Sequence, residues 1–158
     1  MFELIFCDKI NVYQELEKAV ARHICGSFEI KRTENGKPYI NGNPVYFSIS
    51  HSKQKAVIAL CNKPVGVDME LFGEKKYSNI LSRLSTEEQN EINGKQAGFL
   101  KNWTAKEAYI KMLGGTLNEY LKRLEYRQEK IFLDKIPQNC DIFPHEYDFG
   151  IVTVSIYN

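Results

Sequence analysis

The chain has 158 residues, enough for one globular domain or two small halves packed as one, and too few for two independent large domains. Hydrophobic residues at 43%, charged residues at 26% and aromatics at 12% exclude disordered and fibrous classes and imply a packed core. Lys and Arg together number 21 against 20 Asp and Glu, a formal net charge of +1, so no global basic field argues for nucleic acid and any charged partner must meet a local patch.

Taken in chain order, Phe2 to Phe6 predicts a short strand, and Tyr13 to Cys25 a helix whose apolar stripe is Leu16, Ala19, Val20 and Ile24 and which Gly26 ends. Phe28 to Arg32 alternates like a strand before the turn Asn35-Gly36-Lys37-Pro38. Three β-rich runs follow, Val45 to Ser50, Ala56 to Cys61 and Val65 to Leu71, the last two joined by the turn Asn62-Lys63-Pro64. After Phe72-Gly73 the pattern becomes helical, with expected helices over Tyr77 to Leu84, Thr86 to Ile92 and Phe99 to Leu113, the last stopped by Gly114-Gly115. Ser85 stands at an N-cap position, and Glu88 three residues later completes a capping-box pattern. Strands return at Leu124 to Tyr126 and Lys130 to Leu133, a hairpin, and at Gly150 to Ile156. The expected class is α+β.

An internal echo accompanies this order. His51 and His145 each stand five positions before a small residue that opens a β run, Ala56 to Leu60 and Gly150 to Val154, an offset of 94 residues. Two halves of similar topology, about 1–72 and 73–158, are the expectation, within one domain spanning 1–158.

Cys7, Cys25, Cys61 and Cys140 include no pair at the spacing of a zinc site or a redox dithiol. Met1 to Phe6 carries Glu3 and no basic leader, unlike a signal peptide, and no stretch approaches the ~20 apolar residues of a membrane span. A soluble cytoplasmic protein with reduced thiols is expected.

Three constellations carry chemistry. In Val65-Gly66-Val67-Asp68-Met69-Glu70-Leu71, strand alternation puts Asp68 and Glu70 on one face and Val67, Met69 and Leu71 on the other. Two carboxylates on one face begin a site for a hard cation such as Mg²⁺, although a half-exposed strand alternates in the same way. On the longest helix, Trp103, Glu107 and Lys111 are spaced four apart and share a face, which presents an acid and a base beside an aromatic wall; an ordinary i,i+4 surface pair has that spacing too. Phe47-Ser48-Ile49-Ser50-His51-Ser52 ends a strand in hydroxyls and an imidazole, groups that hydrogen-bond phosphate oxygens. It lacks the Gly-x-Ser-x-Gly spacing of a nucleophile elbow, which disfavours a hydrolase triad. Residues 31 to 60 sum to +4 and residues 95 to 111 to +3, a setting that suits a small polyanion such as a nucleotide or pyrophosphate.

In their order, these segments resemble the 4′-phosphopantetheinyl transferase superfamily. The resemblance runs over about residues 28 to 117. It rests on Gly36-Lys37-Pro38-Tyr39, Phe47 to Ser52, Pro64 to Glu70, the helix start Leu84 to Glu88, and Trp103 to Lys111 followed by Gly114. The carboxylate strand lies mid-chain after the Ser-His-Ser segment, so the chain looks like the type that activates peptide synthetases, a monomeric pseudo-dimer of two similar halves with the active site between them, rather than the trimeric holo-acyl-carrier-protein synthase type. The resemblance implies transfer of phosphopantetheine from coenzyme A to a serine of an apo acyl or peptidyl carrier protein, with release of adenosine 3′,5′-bisphosphate. It implies Mg²⁺ held by Asp68, Glu70 and Glu107, Glu107 as general base, and Lys111 on a pyrophosphate oxygen. It also implies Ser50 and His51 on coenzyme A phosphates, Lys37 and Pro38 beside its adenine, and Glu88 as an auxiliary acid near the metal or the serine. Met69 departs from the family's usual branched aliphatic residue. Only 35 residues precede Gly36, so the N-terminal half looks shortened, and its basic residues for the 3′-phosphate do not align. No nucleic acid and no membrane is expected as a partner. A non-catalytic homologue that docks a carrier protein is the alternative.

Overall fold

The computed structural model describes residues 1–42, 45–73 and 77–158. Strand β1 (Phe2–Asp8) passes through a short 3-10 turn, Lys9–Asn11, into helix α1 (Val12–Ala21). Val12, Leu16, Ala19 and Val20 recur at helical spacing and are the residues α1 buries. The helix stops short of the expected Cys25, because the Arg22 and His23 amides bond three residues back to Ala19 and Val20 and tighten the last turn. Next come β2 (Ile30–Arg32), β3 (Pro38–Ile40), β4 (Tyr46–Ser52), β5 (Lys55–Cys61) and β6 (Val65–Leu71). The helical region holds α2 (Ser78–Leu81), α3 (Thr86–Ile92), α4 (Gln96–Leu113) and α5 (Leu117–Tyr120). It is followed by β7 (Leu124–Arg127), β8 (Lys130–Leu133), β9 (Ile136–Pro137), β10 (Cys140–Tyr147) and β11 (Gly150–Tyr157).

Two three-stranded antiparallel sheets organise the chain, in the orders β1-β5-β4 and β10-β11-β6. The first opens with β1 and closes with the hairpin β4–β5, which puts β5 in the middle; the second opens with β6 and closes with the hairpin β10–β11, which puts β11 in the middle. β5 shows no polar alternation because both its faces are covered. Ala56, Ile58 and Leu60 pack with α1, while Val57, Ala59 and Cys61 pack with Val65, Val67 and Met69 of β6 and Val152, Val154 and Ile156 of β11. On the other face of β11, the Thr153 hydroxyl meets Thr104 of α4 at 2.7 Å. The layers therefore run α1, first sheet, second sheet, α4. This mixed architecture is the α+β class read from the sequence.

Several elements differ from expectation. Only Ser78–Leu81 of the expected Tyr77 to Leu84 helix is helical, and turn bonds from Arg83 to Ile80 and from Leu84 to Leu81 carry the chain to Ser85. β10 went unforeseen because Pro144 interrupts it, a residue tolerated since β10 is an edge strand. The capping box at Ser85 and Glu88 forms in both directions, and Gly114, at φ 73, ends α4 in the left-handed conformation as its sequence indicates. Among the described residues no helix is long and apolar enough to cross a membrane.

Candidate active site

The site lies where β4 meets β6. Phe47 and Ile49 of β4 point into the α1 core, so alternation turns Ser48, Ser50 and Ser52 the other way, toward the edge of β6. There the Val67 amide donates to Ser48 Oγ at 3.1 Å and the Met69 amide donates to Ser50 Oγ at 3.2 Å. The serine hydroxyls thus satisfy amides on the edge strand of the second sheet and stitch the two sheets together. Two of them also reach the carboxylates, since Ser50 Oγ donates to Asp68 Oδ1 at 2.8 Å and Ser52 Oγ to Glu70 Oε2 at 3.4 Å.

Helix α4 closes the site from the other side. Gly66 faces it, and a Cβ there would stand 3.0 Å from the Ala108 carbonyl carbon and inside contact distance of the Ala108 oxygen and the Met112 nitrogen. Backbone therefore lies directly on backbone, a proximity that needs glycine. This brings Lys111 Nζ to Asp68 Oδ1 at 2.6 Å and to Ser50 Oγ at 2.9 Å. Asp68 is 4% exposed at its side chain and Lys111 32%, so the pair is a charge-assisted bond at the rim of the interior. Glu70 and Glu107 are half-buried, and Glu107 sits one helical turn before Lys111. His51, next to Ser50, is exposed.

Asp68 Oδ2 is buried with no hydrogen-bond partner among the described residues. An orphaned carboxylate oxygen is costly unless a cation or a donor meets it. Among the described residues no three His, Cys, Asp or Glu side chains are gathered as a ready metal cluster, and Lys111 is the resident cation. The all-oxygen donors Asp68, Glu70 and Glu107 nevertheless have the chemistry Mg²⁺ takes.

Two sequence readings need correction. Glu88 is 1% exposed and fully engaged. Its Oε1 accepts from Lys106 Nζ at 2.6 Å, Asn102 Nδ2 at 3.0 Å and the Tyr126 amide at 2.9 Å, while Oε2 accepts from the Ser85 amide at 3.1 Å. Burial pushes its carboxyl up, but the Lys106 ammonium and these donors outweigh burial and hold it below its ordinary value. It ties α3, α4 and β7 together and is not an acid available to substrate. Lys106, counted in the basic stretch, is also 1% exposed, and burial pulls it below its ordinary value against the pull of Glu88. It adds no surface charge. The capping-box pattern shows only the bond between Ser85 and Glu88; nothing in the spacing signals Lys106.

Lys37 and Pro38 line a pocket of about 310 Å³ with Tyr39, Ile40, Tyr46 and Phe47. The Lys37 ammonium turns inward from it and donates to Met112 O at 2.8 Å and Val65 O at 3.4 Å. Its burial brings its pKa down to about 8. The structure thus joins Ser50, Asp68 and Lys111 directly and sets Glu70 beside Ser52, places Glu107 one turn before Lys111 on the same helix, leaves His51 exposed next to Ser50, and links Lys37 to the C-terminal end of α4 that carries Lys111. Ser48 was not singled out as a site residue, though its period-two spacing with Ser50 and Ser52 was legible.

The 4′-phosphopantetheinyl transferase superfamily profile matches residues 64–149, the stretch from β6 to the β10–β11 turn that contains Asp68, Glu70, Glu107 and Lys111. The chain belongs to this superfamily. Its curated relatives include the 4′-phosphopantetheinyl transferase gsp of Aneurinibacillus migulanus, 34% identical over 53% of this chain and 37% of the relative. Another is the 4′-phosphopantetheinyl transferase Sfp of Bacillus subtilis, 30% identical over 74% of this chain and 57% of the relative. The L-aminoadipate-semialdehyde dehydrogenase-phosphopantetheinyl transferase of Xenopus laevis is 29% identical over 66% of this chain and 46% of its own length. The chain spans about half the length of these superfamily relatives.

Proposed function

We propose that the chain transfers the 4′-phosphopantetheine of coenzyme A to a serine of an apo acyl or peptidyl carrier protein, releasing adenosine 3′,5′-bisphosphate, as a Mg²⁺-dependent cytoplasmic monomer. The observation that carries this reading is the Asp68, Ser50 and Lys111 cluster, built where β4, β6 and α4 converge within a chain of this superfamily. The two-half pseudo-dimer belongs to the same proposal. It is supported by the matching strand orders of the two sheets and by the 94-residue offset, which sets Tyr46 at the start of β4 on Cys140 at the start of β10.

In this reading the serine oxygen of the carrier attacks the β-phosphorus of coenzyme A, and the bond from that phosphorus to the bridging oxygen breaks, leaving the bisphosphate. Asp68, Glu70 and Glu107 would hold Mg²⁺, which when bound supplies neutralisation of the pyrophosphate charge. Glu107 accepts the serine proton on a carboxylate oxygen. Lys111 exchanges part of its contact with Asp68 for a pyrophosphate oxygen, holding the group undergoing transfer. Ser50 keeps Asp68 oriented, exposed His51 meets a coenzyme A phosphate, and the pocket beside Pro38 receives the adenine. The non-catalytic docking alternative is disfavoured, because a protein that only docks a carrier does not need a buried carboxylate with one oxygen on a lysine and the other left without a partner.

The test is release of adenosine 3′,5′-bisphosphate from coenzyme A by the purified chain with an apo carrier protein, with and without Mg²⁺. Release that requires both carrier and metal supports the reading. Absence of release from folded protein across peptidyl and acyl carriers refutes it.

A further inference from the structure

The turn between β2 and β3 reaches across to the C-terminal end of α4. The last carbonyls of a helix have no partner within it. In α4 the Gly114 and Gly115 amides return to Lys111 O and Ile110 O, and two side chains of the distant turn take further carbonyls. Lys37 Nζ donates to Met112 O at 2.8 Å, and Asn35 Nδ2 donates to Gly114 O at 3.0 Å. Lys37 also donates to Val65 O at 3.4 Å, at the start of β6, so one ammonium ties the helix end to the strand that carries Asp68. The helix dipole places partial negative charge at this end, which attracts the ammonium's donors even though burial works against its charge. Lys37 lies against Gly114 as well, where a Cβ would stand 3.4 Å from its Cδ.

Met112 follows Lys111 directly in sequence. The carbonyl that Lys37 holds is therefore part of the turn that aims the Lys111 ammonium at Asp68 and Ser50. The same Lys37 and its neighbour Pro38 line the 310 Å³ pocket, so the turn touches the pocket with one side and the end of the helix with the other. The charged atom of Lys37 is spent on backbone carbonyls, so it borders the pocket with its stem alone.

We propose that Asn35 and Lys37 are positioning residues that cap α4 in trans and hold Lys111 against Asp68, so that the pocket-lining turn and the Lys111 end of the helix act as one unit. The kinetic part of this inference rests on the transferase reading; the structural part does not.

The experiment compares the wild-type chain with Lys37→Met, Lys37→Arg and Asn35→Ala. It measures kcat and KM for coenzyme A with Mg²⁺ and an apo carrier, and amide hydrogen exchange by mass spectrometry at residues 110–115, with α1 as internal reference. Lys37→Met keeps the length of the side chain and removes its donors; Asn35→Ala, at an exposed site, disturbs folding least. Each is expected to lower kcat about ten-fold with KM changed less than about two-fold, since loss of aim acts on the reacting geometry. Each is also expected to speed exchange at the end of α4 about ten-fold while α1 keeps its protection. Lys37→Arg retains donors and recovers part of both. A rise in KM at unchanged kcat, with unchanged exchange, would show Lys37 to be a direct cofactor ligand and overturn the proposal, as would variants silent in both readouts. If wild type releases no bisphosphate the transferase reading fails by itself, and unchanged exchange in Lys37→Met and Asn35→Ala still overturns the cap.

Discussion

Gly66→Ala tests how the site is assembled, because the change is one methyl group on a residue that performs no chemistry. The added Cβ would stand 3.0 Å from the Ala108 carbonyl carbon and closer still to the Ala108 oxygen and the Met112 nitrogen. All three are backbone atoms, so no rotamer change relieves the clash, and α4 must lift from β6. Overpacking of this kind costs about 1–3 kcal/mol, and the backbone on both sides places this case near ~3. For a domain of this size ~3 kcal/mol lowers the midpoint of thermal unfolding by about 6–12 °C. Lifting the helix by about an ångström also separates Lys111 from Asp68 and Ser50, a displacement of the order that costs ~10²-fold in rate. Circular dichroism melts and steady-state transfer kinetics read the two effects. Gly73→Ala is the control, since among the described residues its added Cβ would meet only Lys53 Nζ, at 4.0 Å, and it is expected to stay within about 0.5 kcal/mol of wild type. A Gly66→Ala protein that melts and transfers like wild type would refute the account of how α4 is seated.

The buried Glu88 and Lys106 pair predicts that Glu88→Ala costs about 3–5 kcal/mol, because it strands a buried ammonium; adding Lys106→Met should recover part of that loss in denaturant titrations, and strictly additive losses would deny the pairing. Glu107→Gln should nearly abolish transfer while leaving the melt within a few degrees of wild type, and an unchanged rate would remove Glu107 from the chemistry. Lys37 has a folded pKa lowered to about 8 against an ordinary 10.5, so the unfolded chain binds more protons between those values. Its contribution to stability therefore increases as pH rises from about 8 toward 10.5 and is lost as pH falls through 8. Wild type minus Lys37→Met, followed by denaturant titration from pH 7 to 10, should show that rise, and a flat difference would contradict the burial of this amine.

The fold was legible where a single face carried the pattern. The stripe Leu16, Ala19 and Val20, the capping box at Ser85 and the stop at Gly114 each report a local preference that the structure keeps. β10 was illegible because edge position, not composition, makes Pro144 acceptable there. The site was legible as three separate clusters, Ser50 with His51, Asp68 with Glu70, and Glu107 with Lys111. What no spacing revealed was the joinery between them. The Ser48 hydroxyl spent on the Val67 amide, the proximity that requires Gly66 and the reach of Lys37 to Met112 O are all contacts between residues 19 to 75 positions apart. Glu88 was misread for the same reason: its sequence pattern shows a cap, and only packing shows that Lys106 and Tyr126 use up the rest of its carboxylate.

The central claim is that the seam between β4, β6 and α4 is a phosphopantetheine-transfer site. Intact-mass measurement of an apo carrier protein incubated with coenzyme A, Mg²⁺ and either the wild-type chain or Lys111→Ala tests it most directly. The account predicts one phosphopantetheine added to a carrier serine by wild type, and addition slowed at least ~10²-fold by Lys111→Ala. An unmodified carrier with folded wild-type protein, or equal modification by the two proteins, would contradict it.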